Sequence, residues 1–312
     1  EKAAKIEALE RKDQSRGFVL AGFVPLSDKV SRITENRNIW GNMSLSDLVR
    51  EQNIEEIVIA IDERRGGMPV QALLECKLQG VTVSDYSAFW ERETGKMDLD
   101  ALHPSWLIFS DGFVGGWMQA TLKRAFDIVA SLLLLFFSFP IMVLTALLIR
   151  LESRGPIFYR QERVGLNGKT FMLLKFRSMR TDAEKDGVPR WAAVNDSRIT
   201  RVGSFIRKTR IDEIPQIFNV LTGEMSFIGA RPERPFFVDE LRQVIPHYFE
   251  RHRVKPGISG WAQLNYPYGA SIEDAKEKFQ YDLYYIKNYS LFLDLIVLIQ
   301  TARAVLWPTG VR

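Results

Sequence analysis

Cysteine and histidine are scarce in this chain of 312 residues, which contains one cysteine and three histidines. The single Cys76 excludes an internal disulfide bond, and a reducing compartment is the simplest interpretation. The chain has too few Cys and His residues for a cysteine-rich metal module. The net charge is only +4, which by itself says little about partners, and we expect no nucleic-acid partner.

The sequence also lacks a visible signal peptide and the GxGxxG fingerprint of dinucleotide-binding domains. It begins with Glu1 rather than Met, so we expect it to be part of a longer protein. Without a phosphate-binding loop, a structural or regulatory role is favoured over cofactor binding for the first part of the chain.

Residues 1–92 show predicted helices that alternate with predicted strands. The predicted helices are EKAAKIEALERK, SLSDLVREQN with Ser44 as its N-cap, and PVQALLECKLQG between Pro69 and Gly80. The predicted strands are GFVLAGFV, IEEIVIAID and VTVSDYSAF. This alternation is typical of a parallel α/β sheet and predicts a partial Rossmann-like domain.

The predicted fold class is therefore α/β, with four parts along the chain. The Rossmann-like domain covers residues 1–92 and a loop-rich linker covers 93–122. A re-entrant membrane helix follows at 123–151, and a compact, mostly helical α/β domain covers 152–312. The final segment, SLFLDLIVLIQTARAVLW, is either an amphipathic interfacial helix with Trp307 as its anchor or a core helix of the last domain.

The segment Ile128–Arg150 is apolar and long enough to span a bilayer. Pro140 lies in its middle, where proline removes a backbone donor and usually bends a helix. The hydroxyl groups of Ser131, Ser138 and Thr145 can return hydrogen bonds to the carbonyls that such a bend frees. These features predict a helix that enters the membrane and returns.

Positive charge flanks both ends of this segment, with Lys123 and Arg124 before it and Arg150 and Arg154 after it. The positive-inside bias therefore draws both ends to the cytoplasmic face. A simple transmembrane span and a buried soluble helix are the alternatives. A span would separate two domains that both have a cytoplasmic character, so the re-entrant helix is favoured.

The chain after the apolar segment is basic, which suits phosphate groups or acidic lipid heads. Within it, FYRQERVGLNGKTFMLLKFRSMR predicts a β-hairpin whose turn is GLNGK. Lys175 and Arg177 lie at the exit of the second strand, where both side chains can point into a cleft. A solvated basic face is the alternative for each of them.

Two adjacent acids, Asp212 and Glu213, precede a predicted helix that has Pro215 in its first turn. The helix dipole favours their ionised forms, and the nearby Arg207 and Arg210 act in the same direction. An ionised aspartate is a competent nucleophile toward phosphorus, and a neighbouring glutamate can hold a divalent cation or move a proton. Two ordinary helix-start carboxylates paired with arginines are the alternative.

Downstream, IGARPERP presents Arg231 in a rigid loop, which suits phosphate binding or a structural salt bridge. The segment VKPGISGWAQLNYPYG supplies Trp261, Tyr266 and Tyr268, which can stack on a base or sugar or pack at a membrane surface. The sequence leaves both alternatives open.

Taken in order, these motifs resemble the bacterial sugar transferases, the monotopic polyprenyl-phosphate phosphoglycosyl transferases. The resemblance covers about residues 120–312, and the α/β segment before it is similar to the Rossmann-like domain of larger members. It implies a membrane-helix break at Ser138 and Pro140, although Phe139 stands where a serine often precedes the proline. It also implies that Asp212 and Glu213 form a catalytic and metal-binding dyad.

The implied reaction transfers a sugar-1-phosphate from a UDP-sugar to undecaprenyl phosphate and releases UMP, with Mg²⁺ as cofactor. Asp212 would form the covalent phosphosugar intermediate. The implied substrate-binding residues are Arg163, Lys175, Arg177, Arg207, Arg210, Gln216 and Arg231.

The resemblance places the enzyme on the cytoplasmic face of the bacterial inner membrane, in contact with phospholipid, at the first step of exopolysaccharide, capsule or O-antigen assembly. A homodimer formed through the α/β domain is a further expectation. The alternatives are a membrane-bound scaffold that binds a nucleotide sugar without turnover, and a glycosyltransferase that releases UDP.

Overall fold

The computed structural model describes residues 1–12, 17–25, 43–61, 68–102, 116–183, 198–267, 269 and 271–306. The chain divides into two compact units, Glu1–His103 and Pro104–Arg312, which we call the N-terminal and C-terminal units. The four-part division expected from the sequence is finer than this and stays a prediction.

The described part of the N-terminal unit contains four helices and two strands. The helices are α1 (Lys2–Lys12), α2 (Leu45–Glu51), α3 (Val70–Leu78) and α4 (Tyr86–Thr94). The strands β1 (Glu56–Ile59) and β2 (Thr82–Asp85) pair in parallel, with α3 as the crossover between them.

Two predicted helices of this unit are confirmed together with their end signals. The Ser44 hydroxyl accepts a hydrogen bond of 3.1 Å from the Asp47 amide at the start of α2. Pro69 occupies the N-cap of α3, and Gly80 follows its end with a φ of +95°. Glycine adopts this left-handed conformation without steric strain.

Two predicted strands of this unit differ in the structure. β2 ends at Asp85, whose carboxylate caps α4, so the second half of VTVSDYSAF is helical. The reason is tertiary packing, because the helix buries Tyr86 and Phe89 in the core of the unit. In GFVLAGFV, the described residues form no strand, and Phe18 packs edge-on against Phe89 instead. The described sheet therefore has two strands, and the Rossmann-like architecture stays a prediction.

The described part of the C-terminal unit mixes helices with two small sheets. Its helices are α5 (Trp117–Glu152), α6 (Arg201–Lys208), α7 (Gln216–Thr222), α8 (Pro235–Val244), α9 (Trp261–Asn265), α10 (Ile272–Lys287) and α11 (Leu291–Leu306). Its strands are β3 (Phe158–Val164), β4 (Thr170–Phe176), β5 (Ser226–Ile228) and β6 (Gly257–Ser259). β3 and β4 are antiparallel, whereas β5 and β6 are parallel.

The predicted hairpin is confirmed as β3 and β4. Asn167 and Gly168 form its turn with φ angles of 54° and 79°, the conformation that the GLNGK motif predicts. A Cβ atom at Gly168 would lie 2.8 Å from the ring of Phe249, so the turn packs closely against the 3₁₀ segment Tyr248–Arg253.

The long helix α5 begins at Trp117, within the predicted linker, and is apolar and long enough to cross a membrane. One stripe of its surface is buried against the C-terminal unit: Lys123, Asp127, Ser131, Ser138, Met142, Thr145 and Ile149. Residues at these spacings share one helix face. The remaining surface exposes large apolar side chains: Trp117, Met118, Leu122, Val129, Leu132, Leu133, Phe136, Phe137, Phe139, Ile141, Val143, Leu144, Leu147, Leu148 and Leu151.

Pro140 lies inside α5, and the helix continues through it. The bend expected at Pro140 therefore stays a prediction. The expected hydrogen bonds from Ser131 and Ser138 are wrong for this structure, because both hydroxyl groups are buried with no partner among the described residues.

A buried ionic cluster ties the first turns of α5 to the rest of the unit. Lys123 Nζ lies 2.8 Å from Asp294 of α11 and 3.6 Å from Asp127, and it donates to the Ile228 carbonyl. Asp127 accepts hydrogen bonds from Ser226 Oγ and from the Phe227 amide, at 3.0 and 2.9 Å. The cluster thus joins α5, β5 and α11 around one buried cation.

The last turn of α5 is also tied to the same unit. Both carboxylate oxygens of Glu152 accept from the first amides of α6, those of Arg201 and Val202. This is a side-chain cap supplied by another helix. Both ends of the apolar helix α5 are therefore bonded to other elements of the C-terminal unit.

The C-terminal helix α11 combines the two alternatives that the sequence left open. Asp294 and Val297 are fully buried against the core, while Phe292, Leu295 and Ile299 are exposed on the other side. α11 is thus a core helix with an apolar outer face. Trp307, the expected anchor, lies outside the described residues.

We expect Lys123→Ala to destabilise the C-terminal unit by about 3–5 kcal/mol, because Asp127 and Asp294 would be left buried without their cation. Thermal unfolding of the purified protein in detergent measures this loss. Lys169→Ala, at an exposed lysine of the hairpin turn, is the matched control and should change stability by less than about 0.5 kcal/mol. Equal unfolding temperatures for the two variants would contradict the role given to the cluster.

Candidate active site

A cavity of about 980 Å³ opens between the hairpin, α6, α8 and α10. Cationic side chains dominate its lining: Arg163, Lys175, Arg177, Arg180, Arg198, Arg207, Lys208, Arg210, Arg231, Arg234, Arg251 and Lys278. The acidic side chains that line it are fewer: Asp212, Glu213, Glu233 and Asp282. Such an excess of positive charge in a concave site favours a polyanionic ligand.

The two predicted acids lie in a 3₁₀ turn, Ile211–Glu213, between α6 and α7. The turn starts at Arg210, whose φ of 58° is a left-handed conformation that costs a non-glycine residue about 1–2 kcal/mol. Strained backbone of this kind is concentrated at functional sites. Asp212 and Glu213 are both 8% exposed, so the turn places two carboxylates in a largely buried position at the cleft wall.

Glu213 is held by two cations. Its Oε1 atom lies 2.9 Å from Lys175 Nζ and 2.7 Å from an Arg231 guanidinium nitrogen. Burial alone would raise the pKa of Glu213, but Arg231 and Lys175 outweigh it and hold that pKa well below its ordinary value. Glu213 is therefore a fixed carboxylate anion and no proton donor near neutral pH.

Asp212 differs from its neighbour, since no hydrogen bond or ion pair to its carboxylate is found among the described residues. Burial and the adjacent Glu213 raise the pKa of Asp212, and Lys175, Arg207 and Arg210 offset only part of this rise. The expectation that the environment favours its ionised form is therefore wrong, because desolvation outweighs the cations. A carboxylate without a partner keeps its lone pairs for an electrophile.

Lys175 and Arg231 reach Glu213 from separate elements. Lys175 lies in β4, where the alternation of a strand buries Phe176 and turns Lys175 to the opposite face. Arg231 follows β5 in a tightly packed loop, since a Cβ atom at Gly229 would collide with the Lys255 carbonyl. The predicted phosphate-binding pair thus converges on one carboxylate oxygen.

Three further predicted residues line the cleft. Arg207 and Arg210 flank the dyad turn, and both act on the charge of Asp212. Arg163 donates a hydrogen bond of 3.1 Å to the Pro232 carbonyl and another to Gln161. Their contacts with a substrate stay predictions.

Two predicted residues differ in their contacts, although Arg177 also lines the cleft. The Arg177 guanidinium is buried and donates to the carbonyls of Ser153 and Arg154, just after α5. This geometry favours a structural role for Arg177, as a cap on the end of the long helix. Gln216 is buried at the start of α7 and is not among the residues that line the cleft.

The aromatic residues expected to stack on a ligand have separate positions. Trp261 stacks on Tyr284 with ring centres 5.9 Å apart and packs against the core. Tyr266 does line the cleft, and its hydroxyl donates to Asp274 at 2.9 Å. Tyr268 lies outside the described residues.

No local sequence pattern indicates the buried polar cluster that forms part of the cleft wall. Arg251 donates to the Tyr248 hydroxyl at 2.6 Å and to Asp282 at 2.7 Å. Asp282 is 31 positions from Arg251 and on another helix, so only the fold brings the two together.

A divalent cation can be accommodated at the dyad. The described residues contain no group of three or more His, Cys, Asp or Glu side chains that could hold a metal by themselves. Mg²⁺, however, usually binds one or two carboxylates and takes its other ligands from phosphates and water. The unpaired carboxylate of Asp212 beside Glu213 fits such a shared site.

Comparison with known proteins gives a consistent result for the C-terminal unit. Residues 118–308 match the family model described as bacterial sugar transferase. A UDP-N-acetylgalactosamine-undecaprenyl-phosphate N-acetylgalactosaminephosphotransferase of Aeromonas hydrophila is 42% identical over 251 residues. A UDP-glucose:undecaprenyl-phosphate glucose-1-phosphate transferase of Xanthomonas campestris pv. campestris is 44% identical over 186 residues.

These relatives are longer than the chain. The aligned region covers 80% of the chain and 58% of the Aeromonas protein, and 59% of the chain and 38% of the Xanthomonas protein. A shorter relative, an uncharacterized sugar transferase of Bacillus subtilis, is 40% identical over 193 residues that make up 90% of its length. The family model, at residues 118–308, lies within the unit that contains the cleft, whereas the 251 residues aligned with the Aeromonas protein exceed the length of that unit.

We expect Asp212→Asn to stabilise the protein by about 1 kcal/mol at pH 7, because the folded state then no longer buries this charged carboxylate. The raised pKa means that the folded state disfavours the charged carboxylate. The gain should therefore grow as the pH rises above the ordinary pKa of 3.8 and through the raised pKa, and vanish below 3.8. Thermal unfolding at several pH values measures it.

Asp239→Asn is the matched control for this substitution, because Asp239 is exposed on α8. The control should show no such gain. A lower stability of Asp212→Asn at pH 7 would contradict the conclusion that burial dominates at Asp212.

Proposed function

Because the chain belongs to the bacterial sugar transferase family, we propose that it transfers a sugar-1-phosphate from a UDP-sugar to undecaprenyl phosphate and releases UMP. The observation that carries this proposal is the contrast within the dyad. A buried Asp212, which has no ion-pair or hydrogen-bond partner among the described residues, lies beside a Glu213 that Lys175 and Arg231 hold in place, and a cationic cleft surrounds both. The relatives' names, which combine a UDP-sugar with undecaprenyl phosphate, support the same substrates.

The proposed reaction has two steps. In the first, an Asp212 oxygen attacks the sugar-proximal phosphorus, and the bond from this phosphorus to the bridging oxygen breaks, so that UMP leaves. In the second, an oxygen of the lipid phosphate attacks the same phosphorus. The bond to Asp212 then breaks, which regenerates the carboxylate and forms a polyprenyl-diphospho-sugar.

The surrounding residues stabilise negative charge during both steps. Lys175 and Arg231 contact Glu213 and line the cleft, and we assign them to the donor diphosphate. Arg207 and Arg210 provide further positive charge on the other side of the turn. Their attraction also favours ionised Asp212 over the protonated form that burial promotes.

Glu213 serves as a positioned anion that fixes Lys175 and Arg231. Mg²⁺ would be held by Asp212 and Glu213 together with substrate phosphates, and when bound it would neutralise charge on the diphosphate. The protein residues provide the nucleophile and the orientation of the phosphates.

The membrane arrangement that we propose is monotopic, with α5 as a re-entrant helix on the cytoplasmic face. Two observations support it. Both ends of α5 are tied to the C-terminal unit, through Lys123 and Glu152. The outer face of α5 is apolar, and the elements packed against it expose Phe205 and Phe218. A lipid phosphate at headgroup depth and a soluble UDP-sugar could then reach the same cleft.

The decisive assay measures the nucleotide released from UDP-sugars in the presence of undecaprenyl phosphate. We expect UMP from the unmodified protein and a loss of at least about 10³-fold in Asp212→Asn, because the covalent step needs an ionised nucleophile. Asp239→Asn, the exposed control, should retain full activity. Full turnover in Asp212→Asn would contradict the proposed mechanism.

The nucleotide product also separates the alternatives. Release of UDP would identify a glycosyltransferase that cleaves the bond between sugar and phosphate. Binding of UDP-sugar without release of any nucleotide would identify a scaffold. A panel that includes UDP-glucose and UDP-N-acetylgalactosamine, the sugars in the relatives' names, would assign the donor.

Topology can be tested by cysteine labelling in a Cys76→Ala background, since Cys76 is the only cysteine of this chain. We expect Thr121→Cys and Arg154→Cys, on the two sides of the apolar segment, to react with a membrane-impermeant maleimide only in inverted vesicles. Both positions are exposed in the structure. Labelling of the two from opposite sides of the membrane would show a crossing helix.

A further inference from the structure

A second arginine of the cleft lining contacts the main chain of Arg231. Arg251 is buried, with a side chain 6% exposed, and belongs to the 3₁₀ segment Tyr248–Arg253. One terminal nitrogen donates to the Tyr248 hydroxyl at 2.6 Å. The other donates to Asp282 at 2.7 Å and to the main-chain carbonyl of Arg231 at 3.0 Å.

The hydrogen bond to the Arg231 carbonyl matters because the sheet hydrogen bonds of this segment end one residue earlier, at Ala230. The sheet hydrogen bonds between the β5 and β6 segments extend as far as Ala230. The Gly229 amide donates to the Ser259 carbonyl, and the Ala230 carbonyl accepts from the Gly257 amide, at 2.9 Å each. Arg231 is the next residue, and the hydrogen bond to its carbonyl comes from Arg251. Arg251 therefore continues the restraint of this chain segment from the point where sheet pairing ends.

Asp282 holds the Arg251 guanidinium in place through an ion pair of 2.7 Å. It is 3% exposed, lies on α10, and balances the buried charge of Arg251. A continuous series of contacts thus leads from Asp282 through Arg251 to the main chain of Arg231, and from the Arg231 side chain to Glu213. The two terminal nitrogens of a guanidinium reach acceptors in different directions, whereas a lysine ammonium would donate to all three from a single nitrogen.

We propose that Arg251 is a positioning residue, which fixes the main chain at Arg231 so that the Arg231 guanidinium is held against Glu213 and the donor diphosphate. This proposal rests on the proposed function, and it assigns a role in donor recognition to a residue outside the motifs that the sequence singled out. Arg251 acts through Arg231 and need not touch the substrate.

A double-mutant cycle tests the coupling. We expect Arg251→Lys to lower kcat/KM for the UDP-sugar about tenfold in the unmodified protein, but less than about threefold when Arg231 is already Lys. Non-additivity of this kind is expected when one residue acts through another, and a general loss of stability would not produce it. Equal losses in both backgrounds would overturn the proposal.

Arg253→Lys is the matched control, because Arg253 lies two positions away, is 62% exposed and pairs with Glu250 on the surface. It should leave kcat/KM unchanged. If Arg251→Lys fails to fold, Asp282→Asn offers a milder change, since it keeps the shape of the side chain and weakens the anchor of Arg251. It should show the same non-additivity with Arg231→Lys.

A second readout does not depend on turnover. We expect Arg251→Lys to speed hydrogen exchange about tenfold at the four amides of the segment 229–233, those of Gly229, Ala230, Arg231 and Glu233, and to leave α7 unchanged. If the unmodified protein releases no UMP, the proposed function is overturned. The exchange pattern would still show whether Arg251 restrains the main chain at Arg231. Unchanged exchange at 229–233 would overturn the positioning role, whatever the outcome of the UMP assay.

Discussion

The paired contact of Glu213 with Lys175 and Arg231 is the constraint on which the candidate site depends. It joins the hairpin, the dyad turn and the loop after β5 at one oxygen atom. A buried ion pair of this kind adds little net stability, because desolvation offsets most of the Coulomb attraction. Its effect is geometric, since Lys175 and Arg231 are held near Asp212, which has no partner of its own in the part of the chain that the structure describes.

The different properties of Asp212 and Glu213 follow from this constraint. Both acids are equally exposed and adjacent in sequence, yet the pKa of Glu213 is lowered and that of Asp212 is raised. The difference arises because both cations contact Glu213 and none of the described residues neutralises Asp212 directly. An anion that organises cations and a carboxylate that remains available for attack are the two properties that covalent phosphoryl transfer needs.

Signals that lie within a short stretch of sequence were predictable. The helix capped by Ser44, the hairpin turn and the carboxylates before Pro215 are of this kind, because each depends on neighbouring residues. The role of Arg177 was not predictable, since the carbonyls that it caps lie 23 and 24 positions earlier. The desolvation that raises the pKa of Asp212 likewise comes from residues distant in sequence, and only the folded structure supplies it.

The packing of α5 bears directly on how the chain meets a membrane. Its buried stripe runs from Lys123 to Ile149, a length of about 39 Å at about 1.5 Å per residue. A hydrocarbon core is only about 30 Å thick. A crossing helix with this stripe would draw the C-terminal unit into the lipid, together with the buried ions around Lys123. Association from one side avoids that cost, because the apolar face of α5 can enter the lipid while its other face stays on the C-terminal unit.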